Sequence, residues 1–330
     1  MTITVLRPGL LSSFQDLGRC GAQHLGVPVG GAMDSRAHRL ANIVAGNTDD
    51  EATLEITLAG PALRFDAPGC IALSGGQLGA RLNGLPVPNN RPLVVRPGDT
   101  LDFAGRVSGL RTYMAWHGGI ALPAVLGSRS TYLRGGFGGY EGRALKSGDV
   151  LTMQADMRGR DLDALERDLD RIEIYLPATL SGTPRDTIRV LPGAHTGLFT
   201  AASVKAFFNG DYRIRPESER MGYRLDGPVL ELKSPTQLLS EATSFGSVQV
   251  PPDGNPIVLM ADRQTTGGYA KIAHVASVDL PALAQRMPGD RLRFRETSLH
   301  EAQALDQQRE QAFDTLFQGL APLRRRLSNR

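Results

Sequence analysis

Thr53-Leu-Glu-Ile-Thr-Leu-Ala-Gly-Pro-Ala-Leu-Arg-Phe-Asp66 is the stretch on which the fold turns. Apolar and polar side chains alternate with period two from Thr53 to Leu58, stop at Gly60-Pro61, and alternate again from Ala62 to Asp66. That is a strand, a turn and a second strand. The same texture fills Ala52 to Gly118. Leu78–Leu82 and Thr100–Phe103 alternate, Cys70–Leu73 is a short apolar run, and turn signals stand at Pro68-Gly69, Asn83-Gly84 and Pro97-Gly98-Asp99. Many short strands at close spacing predict a mainly β, antiparallel fold of barrel or sandwich type.

This stretch has an echo further along the chain. Leu58-x-Gly60-Pro61-x-Leu63-x-Phe65-x-x-Pro68 returns as Leu225-x-Gly227-Pro228-x-Leu230-x-Leu232-x-x-Pro235. Pro97-Gly98-Asp99-x-Leu101-x-Phe103 returns as Pro288-Gly289-Asp290-x-Leu292-x-Phe294, with a looser copy at Gly148-Asp149-Val150-Leu151. Val5-Leu6-Arg7-Pro8-Gly9 is matched by Val190-Leu191-Pro192-Gly193. The matches keep their order, which reads either as two related β-domains or as repeated use of the same turns. A charged stretch at 158–172, with Leu162, Leu165, Leu169 and Ile172 at helical spacing, leads into Ser181-Gly-Thr-Pro184 as a linker. The expected domains are therefore 1–185 and 186–330, each long enough for its own core.

A few helices interrupt the strands. Asp34 is placed to cap a helix whose face is Ala37, Leu40, Ala41 and Val44, ended by Gly46. A short helix is expected near Ser203–Asn209. A longer one starts at the capping box Ser298-x-x-Glu301, and the tail beyond Ala321-Pro322 is expected to fray. The net charge is +3, but Arg324, Arg325, Arg326 and Arg330 supply it; without them 33 basic residues face 34 acidic ones. The body is neutral, so nucleic-acid binding is not expected. Two cysteines and six scattered histidines give no disulfide framework, zinc spacing or other metal site. His24 and His117, near glycine turns, are structural or acid–base groups, whereas His38 and His300 are expected in solvent. No run approaches a membrane span and the chain starts directly on a strand, so a cytoplasmic location is expected. There is no Gly-x-Ser-x-Gly elbow, P-loop or biotinylation tetrapeptide, and no strand–helix–strand context surrounds Gly136-x-Gly138.

Two segments concentrate chemistry. Gly127-Ser-Arg-Ser-Thr-Tyr-Leu-Arg-Gly-Gly-Phe-Gly-Gly-Tyr-Glu-Gly-Arg143 combines glycines with Ser128, Arg129, Tyr132 and Arg134. Glycine admits close backbone approach and arginine presents a fork matched to carboxylate or phosphate, although a plain tight corner is the alternative. Asp262-Arg-Gln-Thr-Thr-Gly-Gly-Tyr269 places Asp262, Gln264, Thr265, Thr266 and Tyr269 after an apolar strand at Pro256–Met260. The Gly30-Gly31 turn ahead of the first helix suits either an anion or an ordinary turn. The expectation is that the two arginine- and hydroxyl-bearing segments share one cleft.

Longer motifs add a resemblance. Asp16-Leu-Gly-Arg19, Gly26-Val-Pro-x-Gly-Gly-Ala-Met-Asp34, Ala41-Asn42 with Gly46-Asn47, and Leu54-Glu-x-Thr57 with Gly60-Pro61 are joined by Gly127-Ser-Arg-Ser-Thr-Tyr-Leu-Arg-Gly135. Arg220-Met-Gly-Tyr-Arg-Leu-x-Gly-Pro228, Gly246-x-x-Gln-Val-Pro-Pro-Asp-Gly254, Asp262-x-Gln-Thr-Thr-Gly-Gly-Tyr269 and Pro288-Gly-Asp290 complete the set. Over residues 3–295 the chain resembles the allophanate hydrolase subunit 2, or biotin-dependent carboxyltransferase, family, also called kinase-inhibitor-antagonist-like. Pro192-Gly193-Ala194-His195 departs from the family's pattern, and the 158–172 stretch looks peculiar to this chain.

The resemblance implies cyclophilin-like β-barrels and, for a stand-alone chain of this size, a subunit of an ATP-dependent 5-oxoprolinase that opens 5-oxoproline to glutamate. It implies a subunit-1 (kinase-inhibitor-like) partner and a third lactam-hydrolase subunit. ATP would be shared with those partners, with Mg2+ possible and no covalent biotin on this chain. Asp262, Tyr132 and Thr265 become the expected catalytic residues. Arg129, Arg134, Ser128, Thr266, Gln264, Tyr269, Gly30 and Gly31 become the expected substrate-binding residues. Two alternatives stand beside it: a carboxyltransferase component acting on urea or an amide, and a regulatory protein that antagonises a histidine-kinase inhibitor.

Overall fold

The computed structural model describes residues 2–182 and 185–328. Thr183 and Pro184 of the expected linker and Arg330 of the basic tail lie outside the described residues. The chain is mainly β and divides into two compact units. Among the described residues, one comprises 2–18, 34–182 and 311–328, and the other 19–33 and 185–310.

The first unit holds two sheets. One runs in the order Val150–Thr152, Thr2–Arg7, Ala62–Phe65, Thr100–Phe103, Ala80–Leu82, Leu85–Pro86. The other runs Leu11–Gln15, Thr53–Thr57, Ser108–Trp116, Gly69–Gln77, Pro92–Val95. Alternation sends Ile3, Val5, Leu54, Ile56, Leu63, Phe65, Leu73, Leu101 and Trp116 into one core. The second unit is a closed barrel in the order Thr187–Pro192, Ala270–Val275, Ser247–Val250, Ile257–Leu259, Gly222–Asp226, Tyr212–Ile214, Arg291–Glu296. Its first and last strands close it by parallel pairing, Thr187 opposite Arg293 and Val190 opposite Glu296. Val190, Leu225, Val248, Val258, Ile272, Leu292 and Phe294 fill it.

The internal echo has a physical content. A Cβ on Gly60 would lie 2.3 Å from the Phe103 ring, and one on Gly227 would lie 2.4 Å from the Tyr212 ring. Each Gly-Pro turn is thus pressed against an aromatic side chain where only glycine fits. The Pro-Gly-Asp turns are likewise one conformation used twice. Gly98 and Gly289 have φ of 93° and 94°, and Asp99 and Asp290 each accept a backbone N–H three residues back, from Arg96 at 2.7 Å and Met287 at 3.0 Å.

The helices stand at Ser35–Val44, Leu162–Asp170, Ala201–Asn209, Leu280–Ala284, Leu299–Gly319 and Ala321–Ser328. Asp34 Oδ1 accepts from the Ala37 N–H at 2.9 Å, and Ser298 Oγ from the Glu301 N–H at 3.1 Å, so both sequence-read caps form. Two expectations need correction. The segment after Pro322 does not fray. Ala321–Ser328 is a helix because Leu323 and Leu327 are buried, and the Arg160 guanidinium donates to the terminal carbonyls of Arg326 and Leu327. Nor is His38 in solvent. Its helix buries most of its circumference, and the ring is fully enclosed, with Nδ1 2.8 Å from Thr53 Oγ1. Burial lowers its pKa from 6.5 to about 4. Among the described residues no helix is long and apolar enough to cross a membrane.

Candidate functional site

In the first unit the glycine-rich segment 127–143 folds onto the strand Leu11–Gln15, and its hydroxyls turn inward. Asp16 is the hub. Its carboxylate accepts from Ser128 Oγ at 2.7 Å, Ser130 Oγ at 2.5 Å, the Arg129 N–H at 2.6 Å and the Gly18 N–H at 2.8 Å. Burial alone would raise this carboxyl, but the four donors hold it below the usual carboxylate range. Thr131 Oγ1 donates to the Phe14 carbonyl at 3.0 Å. Tyr132 and Phe137 meet edge to face at 5.5 Å, closing the turn between them. The Arg129 guanidinium stays half-buried, with Nε on the Leu122 carbonyl at 3.3 Å and Nη1 3.7 Å from Glu51 Oε2. Arg134 is exposed. Of the four candidates here, Ser128 is committed to Asp16, whereas Arg129, Tyr132 and Arg134 keep part of their side chains accessible.

In the second unit Gly30, Gly31 and Asp262 come together around Arg220. Arg220 donates from Nε to Asp262 Oδ2 at 2.8 Å and from Nη2 to Oδ1 at 3.0 Å, with a further bond to the Gly31 carbonyl at 2.7 Å. Both partners are buried, and the Asp262 N–H returns a bond to the Arg220 carbonyl at 2.9 Å. A bidentate guanidinium–carboxylate pair with a backbone carbonyl as a further acceptor fixes geometry strongly. Gly30 and Gly31 adopt φ of 65° and 88°. A Cβ on Gly30 would reach to 3.5 Å of Asp262 Oδ1, so the turn passes close over the carboxylate. With both its oxygens on the guanidinium, Asp262 offers no ready ligand to a cation. Among the described residues no group of three or more His, Cys, Asp and Glu side chains is arranged to hold a metal.

The segment after Asp262 runs beside the strands Ser247–Val250 and Ala270–Val275. Val248, Val250, Ala270 and Val275 face the barrel core, which leaves Ser247, Gln249, Lys271 and His274 as the polar members of these strands. Against them lies a two-stranded ribbon in which Glu241 pairs with Gly267 and Ala242 with Thr266. Lys271 Nζ donates to Glu241 Oε1 at 2.8 Å and to the Ala242 carbonyl at 2.7 Å, and its ammonium holds the Glu241 carboxyl below the usual range. Gln264 Nε2 reaches Gln249 Oε1 at 3.4 Å, and a Cβ on Gly267 would come within 2.8 Å of Gln249 Nε2. Thr265 is half-buried, its carbonyl taken by the Thr243 N–H at 3.0 Å, while Thr266 and Tyr269 are exposed. The loop at Pro192–His195 also joins this face. The Lys271 N–H donates to His195 Nδ1 at 3.1 Å, which leaves Nε2 to carry the ring proton, 3.5 Å from Glu241 Oε1.

Reasoning from residue types selected Asp262 but passed over Arg220, Arg263 and Gln249. Arg220 carried one signal, its place in the motif Arg220-Met-Gly-Tyr, yet nothing local says which carboxylate it meets 42 residues away. Gln249 carried a like signal, its place in Gly246-x-x-Gln-Val-Pro-Pro-Asp-Gly254, and Arg263 reads as the neighbour of a more conspicuous acid.

Comparison with known proteins adds three findings. Residues 25–296 match the family model described as carboxyltransferase domain, subdomain A and B. The chain is 40% identical over 92% of its length to the C subunit of the 5-oxoprolinase of Haemophilus influenzae, covering 94% of that protein. It is 38% identical to the Escherichia coli protein of the same name, over 95% of this chain and 97% of that one. Among solved structures it superposes on the K. lactis urea amidolyase with a TM-score of 0.86 at 33% identity, over 96% of this chain and only 20% of that longer one.

Proposed function

Since this chain belongs to the carboxyltransferase domain family of subdomains A and B, we propose that it serves as one subunit of a cytoplasmic, ATP-dependent 5-oxoprolinase. The observation that carries this reading is length. Both 5-oxoprolinase relatives are matched nearly end to end, whereas the chain spans about a fifth of the K. lactis urea amidolyase. In this reading a subunit-1 (kinase-inhibitor-like) chain and a third, lactam-hydrolase subunit make up the rest of the enzyme.

The chemistry suits the groups at hand. A lactam carbonyl is a poor electrophile, and transfer of a phosphoryl group to its oxygen makes a leaving group. Such a step calls for cationic and N–H donors around developing charge, and for positioning. We assign Arg129 and Arg134 of the first unit to anionic oxygens, and Tyr132, Thr265 and Thr266 to orientation of the substrate. Asp262 is the proton acceptor, oriented by the Arg220 fork. ATP and Mg2+ would be held together with the partner subunits, since this sequence has no P-loop. Reconstitution with both partner subunits and measurement of ATP-dependent glutamate release from 5-oxoproline tests the reading; no such activity in the wild-type complex overturns it. Arg129→Ala is expected to lower turnover, and unchanged turnover removes Arg129 from the site.

A second reading is favoured by the urea amidolyase superposition. There the chain would accept a carboxyl group from carboxybiotin on a partner and pass it to urea or an amide. Urea-dependent consumption of carboxybiotin, with 5-oxoproline inert, would choose it.

A further inference from the structure

Arg263 is a buried arginine without a counter-ion. Only 7% of it is exposed, and no carboxylate of the described residues lies within ion-pairing distance. Among the described residues its guanidinium makes one hydrogen bond, a long one from Nη1 to the Ala261 carbonyl at 3.4 Å, and its Nε has no partner. The adjacent Asp262 favours the charge through space, but both its oxygens are hydrogen-bonded by Arg220 and it forms no direct pair with Arg263. A guanidinium cannot shed its proton to escape this cost, and an uncompensated buried charge is strongly destabilising. An anionic oxygen brought by a ligand would offset that cost.

The surroundings point to the same kind of occupant. Arg263 lies near enough to His274 to depress its ionisation, an effect that burial leads and Lys271 reinforces. His274 Nδ1 is 3.4 Å from the hydroxyl of Ser244, an exposed residue, so this edge meets solvent. Gln249 is 1% exposed, and its Nε2 is a second buried donor without an acceptor among the described residues. Gly267 brings its backbone directly against that amide, where a Cβ would come within 2.8 Å of Nε2.

We propose that Arg263, with Gln249, His274 and Ser244 beside the Glu241–Ala242 and Thr266–Gly267 ribbon, forms a binding pocket for a small oxyanion of carboxylate type. This rests on reading the 262–269 segment as substrate-bearing. The carboxylate of a cyclic amino-acid substrate and inorganic phosphate share the required chemistry.

The test is calorimetric titration of the full-length chain, alone and in its complex, with 5-oxoproline, with 2-pyrrolidinone (the same ring without the carboxylate) and with inorganic phosphate. Binding of 5-oxoproline with 2-pyrrolidinone at least about ten-fold weaker identifies the substrate carboxylate; binding of phosphate alone identifies a phosphoryl oxyanion. Arg263→Met should weaken the bound probe at least about ten-fold while leaving the ligand-free Tm unchanged or higher, because an uncompensated charge has been removed. A merely structural arginine would do the reverse, lowering Tm and sparing affinity, and that result overturns the proposal. So does a wild-type chain that binds neither oxyanion. If Arg263→Met does not fold, Gln249→Met carries the same titration, and wild-type affinity in that variant is equally fatal. A complex that binds phosphate here yet never hydrolyses 5-oxoproline sinks the proposed function and leaves the pocket standing.

Discussion

Segments 127–143 and 262–269 look alike on paper, since each mixes hydroxyls, arginine and paired glycines, and they behave in opposite ways. In the first, Ser128, Ser130 and Thr131 are buried and satisfied by the chain itself, two of them on the Asp16 carboxylate. In the second, Thr266 and Tyr269 face outward, and Arg263, like Gln249 on the strand Ser247–Val250, keeps a buried donor with no acceptor among the described residues. The difference lies in what each segment packs against. An acid waiting just past the end of a neighbouring strand turns a polar glycine loop into a structural knot. Without one, the same composition leaves binding capacity unused.

The largest effect that would break this contrast is at Asp16. Asp16→Ala strands two hydroxyls and two backbone N–H groups in a buried place, and should cost roughly 3–5 kcal/mol. Chemical denaturation of wild type and variant measures it. A loss below about 1 kcal/mol would mean the 127–143 hydroxyls are as free as those of the second segment.

Next comes a pH effect in the same unit. His38 falls from 6.5 to about 4 on folding because burial disfavours the imidazolium. Between those values the unfolded chain binds the extra proton, so stability is fully present above pH 6.5 and is lost as pH falls toward 4, by about 3 kcal/mol in all. Urea titrations at pH 7 and pH 4.5 should show this loss in wild type and much less of it in His38→Gln. Equal losses in the two proteins would exclude His38 as the source. Asp16, held below the ordinary carboxylate value, adds its own loss only under more acidic conditions than these.

A smaller effect is expected at Gly139, where φ is 56° and a Cβ would collide with Thr131 Oγ1 and press on its backbone. Gly139→Ala should cost about 1–3 kcal/mol through strain and displacement of Thr131. Gly136 lies in the same segment with nothing within 4 Å of its would-be Cβ. Gly136→Ala should therefore show only the backbone part of that cost, and equal costs would mean that crowding of Thr131 is not what fixes the turn.

How much of this was legible beforehand follows from the range of each interaction. Asp34 and Ser298 announce their helices because a cap acts over three residues. The Gly60 and Gly227 echo showed as sequence because a turn crowding an aromatic ring tolerates no side chain at either place. The Asp16 hub could not be seen, because its donors stand 112 and 114 residues away in a segment that looks built for solvent. His38 was misplaced for a related reason: helical periodicity marks one buried face, and this helix is covered on several. The terminal helix was missed because Pro322 suggests an ending, whereas proline also suits a first turn. Gln249 showed only as one letter of a motif and Arg263 as a neighbour of Asp262, since what distinguishes them is a missing partner, and composition does not record what is missing.

The smallest stability effect is expected where the contrast matters most for function. Thr266 and Tyr269 lie at the surface of the second unit, so Thr266→Ala and Tyr269→Phe should each leave the unfolding free energy within about 0.5 kcal/mol of wild type. If the second segment carries substrate, the same changes should raise KM for 5-oxoproline in the reconstituted complex, because they remove a hydroxyl from bound substrate and nothing from the folded chain. Ser130→Ala in the first unit should show the converse: a lost buried hydrogen bond to Asp16, a lower midpoint of unfolding and an unaltered KM. Were Ser130→Ala to change KM without changing stability, the assignment of knot and open face would have to be exchanged. The two segments would then differ in geometry alone, with the ligand on the side where every donor already has an acceptor.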